Sequence, residues 1–212
     1  MIRGVPVVVV ASVKGGAGKT TTSVLLAEAA ADRGHTVVLG DVDPQGSAAE
    51  WAALAAAGGT ALRSTVVEVP ARDLARRLMG PAAKADLVVL DTPNRDLHLL
   101  SAALSVGDLV VVPSAPTTMD LPRAWPTLDL VVEANRPAVV LLVKIDARYP
   151  NAAIDARAAL AEGGAHTLTA TVPYWQSLAQ AKAGRPRGRH LRVFAAVLDE
   201  LLPMLPDPEE SQ

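Results

Sequence analysis

An α/β fold with a doubly wound, mostly parallel sheet and helices on both faces is what this sequence predicts, on three observations. Short runs rich in Val and Leu alternate with stretches long enough to be helices. Half of the 212 residues are hydrophobic yet only 3% are aromatic, a balance that suits Val-rich strands buried beneath Ala- and Leu-rich helices. A glycine-rich loop joins the first apolar run directly to the first helical stretch.

The apolar runs are Val7–Ala11, Thr36–Leu39, Thr65–Val69, Leu87–Leu90, Leu109–Val112 and Val139–Val143, read as six buried parallel strands. Between them lie Thr20–Arg33, Ser47–Ala57, Arg72–Met79, Leu97–Val106, Met119–Ala134 and Asn151–Ala161, each long enough for the crossover of a right-handed βαβ unit. Gly34 follows the first helix as a left-handed cap, and Gly58-Gly59, Gly80-Pro81 and Gly163-Gly164 fall between elements. The length fits one core and not two, so residues 1–202 are expected to form a single domain. The acidic, proline-rich residues 203–212 are expected to be a tail.

Composition narrows the chemistry. The chain has no cysteine, which excludes disulfides, thiolate metal sites, iron–sulfur clusters and cysteine nucleophiles. The N-terminus lacks the pattern of a signal peptide, and no apolar run reaches the eighteen or so residues of a membrane span. A soluble, cytoplasmic protein is expected. Formal charge is −2, so nucleic-acid binding would need a local patch.

The segment Val7-Val8-Val9-Val10-Ala11-Ser12-Val13-Lys14-Gly15-Gly16-Ala17-Gly18-Lys19-Thr20-Thr21 runs from an apolar strand through glycines into a helix. Glycines let successive backbone N–H groups turn inward on phosphate oxygens, and the helix adds the positive end of its dipole. Lys19 would meet the β- and γ-phosphates of a nucleotide and the Thr20 hydroxyl would hold Mg²⁺. A carboxylate partner is expected at the end of a neighbouring strand. Two strands supply one: Val37-Val38-Leu39-Gly40-Asp41-Val42-Asp43-Pro44-Gln45-Gly46 and Leu87-Val88-Val89-Leu90-Asp91-Thr92-Pro93. An Asp after a strand is commonly a turn or helix cap, but three at these places match the needs of phosphate chemistry.

The loop departs from the strict P-loop spacing, with Val13 in place of a glycine and an additional lysine, Lys14. In this it resembles the deviant Walker A signature of the ParA/MinD family of ATPases, as do Asp-x-Asp-Pro-Gln-Gly and the strand ending in Asp91. The resemblance spans nearly the whole chain and is diffuse after Pro113. It implies that ATP and Mg²⁺ are bound by residues 14–21 and that Lys14 reaches across a homodimer interface to the partner's nucleotide. It further implies that Asp43 orients the hydrolytic water and that Asp91 holds Mg²⁺ through water, with Asp41 supporting the metal shell or the loop. Gly40 stands where relatives usually carry a bulky aliphatic, and Asn94 where they often have a second proline.

Farther along, Thr171-Val172-Pro173-Tyr174-Trp175 looks like the family's proline-led loop beside the adenine, making Pro173 and Tyr174 adenine candidates, although an ordinary loop closing the sheet edge fits as well. Lys182, Arg185, Arg187, Arg189 and Arg192 form the one concentrated basic segment, with no acid among them. Such a run is often only a solvated face. In relatives that bind DNA nonspecifically, basic residues near this end form the DNA surface. The short start leaves no room for a helix-turn-helix, and the acidic, proline-broken C-terminus does not suit a membrane-binding helix. The resemblance therefore implies a small ParA-type ATPase that partitions plasmids or chromosomes, nucleoid-associated when ATP-bound and stimulated by a ParB-type adaptor. A cargo- or division-positioning ATPase of the same family, and a metabolic ATP-dependent ligase on the same scaffold, are the alternatives.

Overall fold

A computed structural model describes residues 4–69, 74–175 and 184–206. In chain order the elements are β1 (Val7–Val10), α1 (Lys19–Asp32), β2 (Val37–Asp41), α2 (Ser47–Ala57), β3 (Thr65–Glu68), α3 (Leu74–Ala82), β4 (Leu87–Asp91), α4 (Leu97–Val106) and β5 (Leu109–Ser114). A 3-10 turn (Leu121–Ala124) then leads to α5 (Trp125–Glu133), β6 (Ala138–Ile145), α6 (Ala152–Glu162), β7 (Thr167–Pro173) and α7 (Arg189–Leu201). The strands form one sheet in the order β3-β2-β4-β1-β5-β6-β7, and every neighbouring pair is parallel.

Alternation along the strands produces two cores. Val7 and Val9 of β1 face one, with Leu74 and Leu78 of α3, Leu100 and Leu104 of α4, and Leu160 of α6. Val8 and Val10 face the other, with Val24–Ala27 of α1, Trp51 of α2 and Phe194, Val197 and Leu198 of α7. Each fully buried Val or Leu contributes about 1.5–3 kcal/mol, so β1, β2, β4 and β5, buried throughout, lock the register at the centre. Helix α1 lies in the same core as both the sheet and α7, and nine of its consecutive residues, Thr22–Ala30, are buried. One of them is Glu28, whose carboxylate accepts N–H bonds from Arg63 (2.9 Å) and Ser64 (2.9 Å) and the Ser64 hydroxyl (2.8 Å). These bonds tie the approach to β3 to α1.

Four elements differ from the sequence expectation. The sheet has a seventh strand, β7, at its edge; it is threonine-rich and buries only Leu168 and Val172, so it has no apolar run to announce it. The helix expected from Met119 starts at Trp125, because Pro122 and Pro126 lack N–H donors and sit at the starts of the 3-10 turn and of α5. Helix α3 continues through Gly80 and Pro81, where the sequence predicts a break: Leu74, Leu78 and Ala82 recur every four residues on its buried face. Helix α7 is a further element, legible in hindsight from the spacing of Phe194, Val197, Leu198 and Leu201, all buried. Beyond it a 3-10 turn spans Leu202–Met204 and Leu205 packs on the core; residues 207–212 of the expected tail lie outside the described residues.

Gly40 has a packing reason. A Cβ there would lie 2.7 Å from Leu90 Cδ2 and 3.4 Å from Leu78 Cδ2, so those two leucines occupy the space an aliphatic would fill. Gly40→Val is expected to cost about 1–3 kcal/mol through overpacking, read as a lowered urea midpoint with unchanged slope. An unchanged midpoint would show that the leucines can give way.

Candidate functional site

β1 is the central strand, with β4 on one side and β5 on the other. Its loop therefore opens at the carboxyl edge of the sheet beside β4, and β2 lies one strand farther out. Val10 pairs with Asp91, and Asp91 with Asp41. Strand order thus brings the phosphate loop and two carboxylates, distant in sequence, to one edge.

The loop curls through left-handed glycines, Gly16 at φ 72° and Gly18 at φ 96°. Gly18 is the N-cap of α1 and offers no side-chain acceptor, and the first turn carries no acid. The helix end therefore retains its unpaired N–H groups and positive dipole for an anion. Gly16, Ala17, Gly18, Lys19, Thr20 and Thr21 line one wall of a cavity of about 520 Å³. Asp43, Gln45, Ser47, Trp51, Asn94, Arg95 and Lys144 complete it. Lys19 is buried; burial pulls its pKa down against the opposing pull of the Asp91 and Asp43 charges.

Asp91 is fully buried. Burial raises its carboxyl to about 7, opposed by hydrogen bonds from Thr20 and Ser23, the latter at 3.1 Å. Its Oδ2 has no hydrogen-bond partner among the described residues, an orphaned acceptor beside Thr20 that fits a bound cation. Asp41, expected in the metal shell or as support for the loop, has both oxygens engaged. Oδ2 accepts the Ala48 and Ala49 N–H groups at the start of α2 (2.9 and 3.0 Å), and Oδ1 accepts the Asp43 N–H (3.2 Å). It holds the loop that presents Asp43, whose own Oδ1 accepts the Gln45 N–H at 3.0 Å.

Lys14 is separate from this cavity. Its Nζ forms an ion pair with Asp120, just before the Leu121–Ala124 turn, and that bond holds the Asp120 carboxyl below the usual carboxylate range. Lys144, which the sequence reading did not single out, adopts a left-handed conformation (φ 59°) in β6 and donates to the Gly16 carbonyl at 2.6 Å. Trp51 lines the cavity and its indole N–H bonds the Gly184 carbonyl at 3.0 Å. Neither residue carries a local motif; both arrive through tertiary packing.

Pro173 and Tyr174 are not brought into this cavity. Pro173 ends edge strand β7 opposite Ile145, and Tyr174, 60% exposed, donates its N–H to the Ile145 carbonyl one residue beyond Lys144. Of the basic segment, Lys182 lies outside the described residues. Arg185, Arg187 and Arg192 line a groove of about 440 Å³ whose opposite wall carries Arg33 and Arg63. Arg33 pairs with Asp199 and Arg63 with Asp32. Arg189 begins α7 beside this groove.

A backbone cradle at a helix N-terminus, a buried lysine at its base and a buried acid on the adjacent strand define a P-loop nucleotide-binding domain. Comparison with known proteins agrees. The model of the CobQ/CobB/MinD/ParA nucleotide binding domain matches residues 8–185. Maintenance of carboxysome distribution protein A of Gloeobacter kilaueensis is 36% identical over 74% of this chain and 72% of its own length. Protein ParA of Rhizobium radiobacter is 34% identical over 60% of this chain and 57% of its own length, so the match spans less than two thirds of that relative. The fold is also that of cobyrinic acid a,c-diamide synthase of Mycobacterium smegmatis, solved with ADP and magnesium (TM-score 0.73, 20% identity, 93% of this chain and 94% of that one). The chain belongs to the CobQ/CobB/MinD/ParA family and is an ATPase of its ParA/MinD type.

Proposed function

We propose that this ATPase is a nucleotide-gated dimer that partitions DNA, binding the duplex without sequence preference in its ATP state and released by an adaptor of ParB type. The observation that carries the reading is the position of Lys14. It belongs to the phosphate loop but lies outside the cavity that Lys19 lines, paired with Asp120, so its ammonium is available to exchange that carboxylate for a second subunit's phosphates.

In this reading Lys19 and the amides of residues 15–21 hold the triphosphate, and Asp43 orients the attacking water. Thr20 and Asp91 hold Mg²⁺, which neutralises phosphate charge when bound; the unpartnered Oδ2 of Asp91 supports this assignment. Asp41 acts on Asp43 through the backbone. Lys14 supplies charge to the partner's nucleotide, in the manner of an arginine finger. Loss of the γ-phosphate removes the contacts across the interface and opens the dimer.

DNA contact is assigned to Lys182, Arg185, Arg187, Arg189 and Arg192, of which Arg187, Arg189 and Arg192 are exposed. Neutralising phosphates releases counterions, so affinity falls with salt at a slope of roughly 0.9 per contact. Arg187→Ala with Arg192→Ala is expected to weaken ATP-state binding about tenfold or more on any duplex and to reduce the salt slope by about 2. Filter binding across a salt series checks this; ATP-state protein that ignores DNA at low salt rejects the partition reading.

A second reading, positioning of a protein assembly, is favoured by the 36% identity to the carboxysome distribution protein. It uses the same ATP cycle and differs in the adaptor that stimulates it. The metabolic-ligase alternative has the fold likeness to the diamide synthase in its support. It predicts hydrolysis that depends on a small-molecule substrate, whereas the partition reading predicts stimulation by DNA and adaptor alone.

A further inference from the structure

Three cations line the nucleotide cavity: Lys19, Lys144 and Arg95. Two are engaged by the protein. Lys19 lies in the fields of Asp91 and Asp43, and Lys144 donates to the Gly16 carbonyl at 2.6 Å. Arg95 is exposed and makes no hydrogen bond or ion pair among the described residues. A guanidinium lining a nucleotide-sized cavity without a carboxylate of its own is matched to an anionic ligand, and its planar fork binds phosphate oxygens in pairs.

The backbone that carries Arg95 is pinned on both sides. Before it, the buried Thr92 hydroxyl donates to the Val10 carbonyl at 2.8 Å, and the Asn94 side-chain nitrogen packs so closely on the phosphate loop that a Cβ on Gly15 would come within 2.8 Å of it. After it, Asp96 caps α4, accepting the His98 and Leu99 N–H groups at 3.1 Å each. The segment runs from the Walker-type Asp91 directly along the loop wall. Arg95 thus has a positioned Cα and a free side chain, the arrangement that minimises the ordering cost of engaging a ligand.

We propose that Arg95 is a catalytic residue that contacts the terminal phosphate of ATP within its own subunit, adding to the charge that Lys14 supplies from the other. The proposal rests on the ATPase reading of this site and concerns which phosphate Arg95 meets. Charge on the terminal phosphoryl oxygens is redistributed as the bond to the leaving group loosens, and a guanidinium at that end stabilises it. ADP lacks the group, so Arg95 discriminates ATP from ADP.

The test measures binding of ADP and of a non-hydrolysable ATP analogue by calorimetry, and single-turnover hydrolysis, for wild type, Arg95→Ala and Arg95→Lys. The Ala variant is expected to bind ADP within about threefold of wild type, to lose about tenfold of its preference for the triphosphate, and to lose about 100-fold or more in hydrolysis rate. The Lys variant, which keeps charge but not the fork, is expected to recover part of both. An unchanged triphosphate preference and rate overturns the proposal, and so does an equal loss of ADP and analogue affinity, which would assign Arg95 to the inner phosphates or the base. Wild-type protein that binds neither nucleotide removes the ATPase reading itself. Thermal unfolding checks that the variants fold, as expected for an exposed side chain without partners.

Discussion

Replacing Asp91 by Asn is expected to make the nucleotide-free protein more stable while cutting ATP hydrolysis by two or more orders of magnitude. Burial lifts the Asp91 carboxyl from 3.8 to about 7, and the Asp41 charge adds to this while Thr20, Ser23 and Lys19 oppose it. A native carboxyl with a raised pKa binds a proton that the unfolded chain has released, so stability falls as pH climbs from about 4 to about 7 and stays reduced above that. Three pKa units correspond to roughly 4 kcal/mol. Asn keeps the shape and can accept from Ser23 without a charge, so a gain of about 2–4 kcal/mol is expected at pH 8 and little at pH 4. Urea unfolding at the two pH values reads this directly; equal effects at both would mean that the carboxylate is not the source. Hydrolysis should drop by two or more orders of magnitude, since the acceptor proposed for Mg²⁺ has lost its charge. The site would thus be held at a cost in stability that a bound cation offsets.

Lys14→Ala is expected to separate nucleotide binding from dimerisation. Binding of ATP to one subunit should survive within a fewfold, because Lys19 and the loop amides line the cavity and Lys14 does not. ATP-dependent dimer formation, followed by light scattering on a sizing column, should disappear, and stimulated turnover should fall by about 10³-fold or more, as on loss of an arginine finger. The lost pair with Asp120 is worth about 1 kcal/mol or less at this exposure, so the fold should be unaffected. Lys19→Ala provides the contrast, with loss of binding itself. A Lys14→Ala protein that dimerises and turns over normally would refute the role given to Lys14.

The central half of the molecule was readable because its signals are local. Val7–Val10, Val37–Asp41, Leu87–Asp91 and Leu109–Ser114 are buried on both faces, so each shows as an unbroken apolar run. The edge strand Thr167–Pro173 buries only Leu168 and Val172, with Ala170 partly buried against the core, and reads as loop. Pro173 and Tyr174, adenine candidates by resemblance alone, end that edge strand beside Ile145 and are not among the residues that line the cavity. Gly80-Pro81 misled in the opposite way: a local break signal was overridden by burial of Leu74, Leu78 and Ala82 along one face.

By itself the sequence determined the strand–loop–helix unit, the lysines at 14 and 19 and the acids at 41, 43 and 91, because strand burial and glycine conformations depend on near neighbours. Strand order was decided only in three dimensions, and with it the adjacency of Asp41 and Asp91. So were the capping role of Asp41, the pairing of Lys14 with Asp120, and the arrival of Lys144, Trp51 and Arg95 at one cavity. The ion pairs beside the basic groove, Arg33 with Asp199 of α7 and Arg63 with Asp32 of α1, likewise come from tertiary packing. A side chain's charge partners are set by which elements pack together, and that choice is made by the two cores as wholes and not by any one segment.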